Sequence, residues 1–307
     1  MATPWSVRAQ SRAEAIKEAM TMCVDRPDKA ADGAARRADI EAMLDDVGRL
    51  PDQDIDLAGT ALLLAALDRL ETSLDGYRDH LATLVAETSA PADAVAAGCV
   101  AALNATIVER HGYRGDHDTY DDPQNADLTR VIDRRKGLPV ALGILYIHVA
   151  RGQGWHMVGM NFPGHFLLLL GEGGGQAVVD PFNGGRILDA RDLHDLAGRV
   201  LGAEARIEPA YLRAVGNRDI LLRLLNNIKL RAIRERQEDR VLTVLGRMAL
   251  IAPRSATTWR EIAALESGRG NIKAAITALE TFHEYCVDAG EQDWAAELLR
   301  QLKTRLN

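Results

Sequence analysis

Residues 133–185 read DRRKGLPVALGILYIHVARGQGWHMVGMNFPGHFLLLLGEGGGQAVVDPFNGG, and the fold of the chain is most easily predicted from them. The part from Val140 to Ala150 is almost continuously apolar and is long enough for about three helical turns, so it predicts a buried helix. Pro139 stands where this helix begins, a position that suits proline because the first-turn amides have no partner within a helix.

Three short apolar runs follow the helix, separated by glycine and proline residues, and they predict strands. The runs are residues 157–161, 166–170 and 176–179. His165 therefore lies at the start of one predicted strand, and Asp180 lies at the end of the next.

Helices are predicted in the rest of the chain by apolar residues at helical spacing. They cover residues 38–47, 57–70, 74–88, 92–108, 128–135, 190–201, 217–237, 239–251, 256–267, 272–287 and 293–306. Pro27, Asp28 and Gly33 interrupt any helix before residue 38, so residues 1–37 are expected to form an N-terminal arm.

A set of short motifs around the predicted helix and strands resembles the SirB-type bacterial branch of the transglutaminase-like family. The motifs are Leu103-Asn104, Gly112 to Asp116, Asp122-Pro123 with Asn125, Arg134 to Pro139, Leu145-Tyr146, Val149 to Arg151, Phe162 to Phe166 and Asp180 to Gly185. The resemblance implies an α+β, mainly helical fold. A papain/transglutaminase-like core, with a central buried helix packed on a small antiparallel sheet, would be followed by C-terminal tetratricopeptide-like helices.

The resemblance also implies a catalytic site in which a cysteine begins the central helix and a histidine and an aspartate come from the next strands. His165 and Asp180 match the histidine and the aspartate. The family's cysteine corresponds to position 139, counted back from Arg151 and Gly154, and this chain has proline there. Because proline has no nucleophilic atom, attack by a thiolate on an amide carbonyl is not available at this position.

Three interpretations of His165 and Asp180 are open. They are a buried hydrogen-bonded pair that holds two strands together, part of a retained ligand-binding patch, or a residual catalytic pair in which His165 activates a water molecule. In the third interpretation Tyr146, two turns along the helix from Pro139, would donate the proton.

Other polar residues keep the ligand-binding interpretation open, because each would need a partner if it were buried and a pocket would satisfy several at once. The candidate pocket residues are Asn104, Asn125, Arg134, Pro139, Tyr146 and Asn183.

Metal and cofactor sites are not expected. The histidines at 148, 156 and 165 do not share a helix face with acidic partners. The glycine-rich segment at residues 171–176 has no helix after it, which a phosphate-binding loop requires. Cys99 lies on an apolar helical stripe and is expected to be a buried hydrophobic residue rather than a nucleophile.

Composition indicates an ordinary globular protein of 307 residues, with 47% hydrophobic and 26% charged residues. The net charge of −7 and the absence of a basic tract argue against binding to nucleic acid.

Three distant cysteines without a CxxC motif favour a reducing compartment. The sequence contains no apolar run of membrane-spanning length and no signal peptide, so the expected location is the cytoplasm. The oligomeric state is left open.

The predicted domains are the arm at residues 1–37, a transglutaminase-like domain with a helical N-terminal part at 38–214, and a tetratricopeptide-like helical region at 215–307. Five residues of the last region match positions of a tetratricopeptide repeat: Pro253, Trp259, Ile262, Gly270 and Ala275. One and a half repeats are too few for an independent stack, so these helices are expected to pack as a layer against the core.

The leading functional hypothesis is a transglutaminase-like module that has lost catalysis and binds a protein or peptide partner. The alternative is an amide or ester hydrolase that uses His165 and Asp180. A third hypothesis gives the core no binding role and places recognition on the surface of the C-terminal helices.

Overall fold

The computed structural model describes residues 31–91, 93–171, 175–202 and 206–306. Residues 1–30 of the predicted arm, with Cys23, lie outside the described residues, and so does the middle of the glycine-rich segment at 171–176. The described chain forms two compact units. One contains the described residues up to Ile40 and Leu50–Leu224, and the other contains Glu41–Arg49 and the described residues from Leu225 onward. The predicted division at residues 37 and 214 stays a prediction.

The helices that begin before residue 217 are α1 to α7. They are α1 Ala31–Arg49, α2 Leu57–Ala66, α3 Asp75–Glu87, α4 Ala96–Asn104, α5 Leu128–Arg134, α6 Pro139–Gly152 and α7 Ala190–Leu201. Side-chain caps fix several starts: Asp56 accepts a hydrogen bond from Gly59 N at 3.1 Å, and Asp189 forms a capping box at α7. Helix α1 begins earlier than predicted, so Gly33 lies inside it and does not end it.

Helix α4 continues into a π-helical turn at Ala105–Arg110. Single π turns inside helices are often found at functional sites. Asn104, a predicted pocket residue, is the last residue of α4 before this turn.

The predicted central helix is confirmed as α6, with Pro139 at its first position and Leu138 as its N-cap residue. All residues from Val140 to Ala150 are buried except His148. The helix ends at Gly152, and Gly154 follows with a φ of +76°, a conformation that glycine adopts without strain.

The strands of the main sheet are β3 Met157–Met160, β4 Leu167–Leu170, β5 Ala177–Asp180, β6 Arg186–Leu188 and β7 Ala214–Val215. The sheet is antiparallel and has the strand order β6-β5-β4-β3-β7. The register places Gly159 opposite Leu168 and Leu168 opposite Val179. The three predicted strands are therefore confirmed, while β6 and β7 were not predicted.

The ring of Phe166 packs between α6 and β3, and two glycines make room for it. A Cβ atom at Gly143 would lie 2.5 Å from Phe166 Cε1, and one at Gly159 would lie 2.7 Å from Phe166 Cζ. This packing fixes the segment that carries His165 relative to the central helix.

A second, short sheet pairs β1 Arg114–Gly115 with β2 Lys136–Gly137 in parallel. Strand β2 immediately precedes α6. The pairing therefore brings the loop around β1 to the start of the central helix.

The remaining helices are α8 Asn217–Arg234, α9 Glu238–Ile251, α10 Ala256–Gly268, α11 Ile272–Tyr285 and α12 Ala289–Leu306. An apolar core in the second unit joins α10, α11 and α12 through Ala275, Leu279 and Phe282. Trp259 Nε1 donates a hydrogen bond to Pro253 O at 2.7 Å, which fixes the turn before α10. The fold is thus α+β and mainly helical, as predicted. Within the described ranges, no helix is long and apolar enough to cross a membrane.

Candidate functional site

Asp180 ends β5 and is buried, with 4% of its surface exposed. Its Oδ1 atom accepts hydrogen bonds from Phe182 N at 3.0 Å and Asn183 N at 3.2 Å. Its Oδ2 atom accepts one from Asn183 Nδ2 at 2.7 Å. The carboxylate of Asp180 therefore organises the turn at residues 180–185, which is called the Asp180 turn below.

A chain of hydrogen bonds ties the Asp180 turn to the central helix. The buried hydroxyl of Tyr146 donates to Asn104 Oδ1 at 2.8 Å, and Asn104 Nδ2 donates to Gly185 O at 3.0 Å. Burial raises the pKa of Tyr146, and the charge of Asp180 adds to the increase. Tyr146 consequently keeps its proton and acts as a hydrogen-bond donor.

His165 lies in the turn before β4, two residues earlier than the strand itself. Burial lowers the pKa of His165; the charge of Asp180 opposes this effect, and the charges of Arg199 and Arg223 reinforce it. Within the described residues, no hydrogen bond joins the His165 ring to the carboxylate of Asp180. The two groups are thus near enough to interact electrostatically, but they do not form the hydrogen-bonded pair considered above.

Asn125 and Arg134 belong to a separate buried network in the loop at residues 111–127, called the β1 loop below. Asn125 Nδ2 donates to Thr119 O at 2.7 Å, and its Oδ1 accepts from Arg134 Nη1 at 3.0 Å. Arg134 Nη2 donates to Asp116 Oδ2 at 3.0 Å. The side chains of these two predicted pocket residues therefore bond to each other and to residues of the β1 loop, and they stabilise that loop.

Asp116 is the centre of this network and was not predicted as a site residue. Its side chain is fully buried. Burial alone raises the pKa of Asp116, but hydrogen bonds from Thr119 and Asn125 and the charge of Lys136 outweigh it, so the pKa is below its usual range. The only signal in the sequence was its place in the Gly112 to Asp116 motif.

The β1 loop and the Asp180 turn meet beside the start of α6. A Cβ atom at Gly115 would lie 2.5 Å from Phe182 O, and the rings of Phe182 and His117 are 4.5 Å apart. Leu138 N donates to Asn125 O at 2.9 Å, directly before Pro139. Pro139, at the position where the resemblance put the nucleophile, therefore directly follows a residue that is bonded to the Asp116 network.

Cys99 is buried in α4, and burial raises the pKa of its thiol. Its Sγ donates to Ala94 O at 3.8 Å. A thiol of this kind is inert, because reactive cysteines have a lowered pKa and are accessible. In the part of the chain that the structure describes, no group of three or more His, Cys, Asp or Glu residues could hold a metal ion.

Comparison with protein families gives the class of the protein. Residues 75–226 match the model of the transglutaminase-like superfamily, and residues 228–307 match a model of the tetratricopeptide repeat. The fold and the site therefore define a transglutaminase-like domain followed by tetratricopeptide repeats.

Relatives identify the family more narrowly. A UPF0162 protein of Xylella fastidiosa (strain Temecula1) is 36% identical over 221 residues, which are 68% of this chain and 76% of the relative. A UPF0162 protein of Vibrio cholerae is 30% identical over 264 residues, 84% of this chain and 95% of the relative. The chain belongs to the UPF0162 family, the SirB-type family indicated by its motifs.

A more distant similarity reaches eukaryotes. F-box only protein 21 of Mus musculus is 27% identical over 135 residues, which are 41% of this chain and 21% of that protein. No solved structure matches this chain.

Proposed function

We propose that this chain is a transglutaminase-like protein that does not catalyse acyl transfer and that binds a protein or peptide in the cleft beside His165. The observation that carries the proposal is Pro139 at the first position of α6. The adjacent residues Val140 to Gly143 have no nucleophilic side-chain atom either.

The arrangement of His165 and Asp180 supports the same proposal. A histidine that activates a thiol must hold a positive charge beside the thiolate, and an aspartate normally orients its ring. Burial lowers the pKa of His165, which disfavours the positively charged ring that a thiolate would need beside it. The carboxylate of Asp180 accepts three hydrogen bonds from its own turn.

The tetratricopeptide repeats at residues 228–307 support a binding role, because repeats of this kind present extended surfaces for other proteins. In this proposal the repeats supply additional contact area, and the cleft beside His165 supplies specificity.

The alternative, an amide or ester hydrolase, would use the neutral ring of His165 as a general base. Tyr146 is poorly suited as its proton donor, because burial raises the pKa of Tyr146 and its hydroxyl already donates to Asn104. We therefore prefer peptide binding to hydrolysis as the function of this protein.

Two measurements on the full chain test the proposal. Peptides are selected from a displayed random library, and their affinities are measured for the wild type, for His165→Ala and for the control His194→Ala, which changes an exposed histidine of α7. We expect His165→Ala to weaken selected peptides at least about tenfold, which corresponds to about 1.4 kcal/mol, and His194→Ala to leave them unchanged.

The second measurement follows hydrolysis of nitrophenyl esters and peptide amides by the same three proteins. Equal background rates are expected for all of them. A rate that falls in His165→Ala alone would establish the hydrolase, and the absence of any peptide whose binding depends on His165 would remove the binding role.

A further inference from the structure

The Asp180 turn contains Asn183 followed by Gly184, which is the single Asn-Gly pair of the sequence. An asparagine side chain loses its amide group when the backbone nitrogen of the next residue attacks the side-chain carbonyl carbon. Glycine permits this attack best, because it has no Cβ atom to shield its nitrogen and its backbone is conformationally free. The pair is therefore a candidate site of spontaneous chemical modification.

Both residues of the pair are accessible in the folded protein. Asn183 is exposed and Gly184 is partly exposed. A Cβ atom added at Gly184 would meet no atom within 4 Å, so the space beside it is open. The backbone amides of Phe182, Asn183 and Gly185 donate hydrogen bonds within the turn, whereas Gly184 N donates none to any described residue. The attacking nitrogen is thus not held by another acceptor.

The side chain of Asn183, in contrast, is restrained by Asp180. Asn183 Nδ2 donates to Asp180 Oδ2 at 2.7 Å, while Asn183 N donates to Asp180 Oδ1 at 3.2 Å. Hydrogen bonds to a charged carboxylate are stronger than those between neutral groups. Because Nδ2 is the atom that leaves in the reaction, its bond with Asp180 stabilises the unreacted side chain. The rate of the reaction should consequently depend on this bond.

We propose that Asn183 is a site of spontaneous deamidation and that its hydrogen bond to Asp180 slows the reaction in the folded protein. Gly184 N attacks Asn183 Cγ, the Cγ–Nδ2 bond breaks, and the proton of Gly184 N passes through water to the departing nitrogen, which leaves as ammonia. The product of this step is a cyclic imide. Water then adds to either carbonyl carbon of the imide and opens the ring to aspartate or isoaspartate. The net reaction consumes water and releases ammonia, and it needs no oxidant or reductant.

Deamidation changes the Asp180 turn in a defined way. A carboxylate at position 183 replaces a donor to Asp180 with a second negative charge, and neighbouring carboxylates disfavour each other's ionisation. In isoaspartate the backbone also passes through the side-chain carbon, which lengthens the turn. The turn carries Phe182, which packs on the β1 loop, and Gly185, which accepts from Asn104. The reaction therefore weakens the attachment of the turn to its neighbours.

Mass spectrometry of the full chain tests the site. The protein is incubated folded in mildly alkaline buffer and digested at acidic pH, and the peptide with residue 183 is examined for conversion of an amide into a carboxylic acid. Chromatography separates the aspartate and isoaspartate forms. Asn161 in the same sample is the internal control, because it is exposed but is followed by the bulky Phe162. We expect both isomers at residue 183 and an intact Asn161.

The variant Asp180→Asn tests the restraint. It keeps one side-chain oxygen that can accept from the backbone of the turn, and it replaces Oδ2, the acceptor of Asn183 Nδ2, with a donor. The new asparagine precedes Pro181, which has no N–H and cannot form the imide. We expect Asn183 to react at least about tenfold faster, the effect of losing one hydrogen bond to a charged group. The control Asp195→Asn, which neutralises an exposed aspartate of α7, should react as the wild type does.

The unfolded chain provides a reference that does not require any variant to fold. In concentrated urea the wild type and Asp180→Asn both lose the turn, so Asn183 should react at the same rate in the two proteins. The wild type should react at least about tenfold faster in urea than when it is folded, because the bond to Asp180 is absent. Circular dichroism without urea shows whether Asp180→Asn is folded.

Three outcomes contradict the proposal. Asn183 that stays intact in urea, or that is no more reactive than Asn161 in the folded wild type, removes the modification site. Equal rates in the folded and the unfolded wild type remove the restraint, and so does a folded Asp180→Asn variant that reacts as slowly as the wild type. None of these results depends on a peptide partner, so the proposed function and this inference fail independently of each other.

Discussion

Substitution of Gly185 by alanine tests whether the hydrogen bonds from Tyr146 through Asn104 hold the Asp180 turn. Gly185 has a φ of +70°, which strains any residue with a Cβ atom. The new Cβ would also lie 1.9 Å from Asn104 Oδ1 and 2.4 Å from the Tyr146 hydroxyl. Neither distance is tolerable, so the Asn104 side chain must move.

The expected loss of stability is the sum of two effects. The backbone strain costs about 1–2 kcal/mol. Displacement of Asn104 breaks its hydrogen bonds with Tyr146 and Gly185, and each contributes about 1 kcal/mol, with more lost if a buried group stays unsatisfied. We therefore expect Gly185→Ala to lower the free energy of unfolding by about 3–4 kcal/mol.

Gly184→Ala is the matched control. Gly184 has nearly the same φ, +69°, but a Cβ there would meet no atom within 4 Å. It should cost only the backbone strain, about 1–2 kcal/mol. Urea unfolding followed by circular dichroism and by tryptophan fluorescence measures both variants, and equal slopes against urea show that the transitions are comparable. Losses that agree within about 0.5 kcal/mol would refute the role assigned to Asn104 and Tyr146.

Three further predictions concern buried charges. Burial lowers the pKa of His80 to about 4, whereas the same side chain in the unfolded protein binds its proton near pH 6.5. The urea midpoint should therefore fall as the pH drops from about 6.5 to 4. A His80→Gln variant whose urea midpoint depends on pH as steeply as that of the wild type would contradict this. Asp116→Asn should lower the free energy of unfolding by about 2–3 kcal/mol, since the buried carboxylate that accepts a hydrogen bond from Arg134 is lost. Thermal unfolding measures this loss, and an unchanged Tm would show that the Asp116 network contributes no net stability. Glu261→Gln should cost about 3 kcal/mol, because the Lys229 side chain is 6% exposed and pairs with Glu261 at 2.6 Å; a loss below about 0.5 kcal/mol, measured by urea unfolding, would contradict it.

The main elements of the fold could be predicted because their apolar patterns are long or sharply bounded. The run from Val140 to Ala150 gives α6, and the runs that end at Leu170 and Val179 give β4 and β5. Strand β7, at Ala214–Val215, could not be predicted in this way, because it is two residues long and its pairing with β3 is set by distant parts of the chain.

The grouping of the polar residues could not be predicted either. Asn104, Asn125, Arg134 and Tyr146 looked alike from the sequence, as polar residues of one pocket. The structure divides them between two networks, one centred on Asp116 and one that reaches Gly185. This division depends on how the β1 loop pairs with the strand before α6, and that pairing leaves no periodic signal in the sequence.

The two networks also change which residues can be used to argue for function. Asn104 and Tyr146 hold the Asp180 turn against α6 whatever residue occupies position 139, and the carboxylate of Asp180 shapes the turn itself. The presence of Asn104, Tyr146 and Asp180 is therefore explained by their contribution to the stability of the fold, and it does not require that the protein be a catalyst. The side chain of His165 is only partly buried, and its ring has no such structural hydrogen bond among the described residues. Binding is accordingly best tested at His165, because a change there leaves the hydrogen bonds of the Asp180 turn in place.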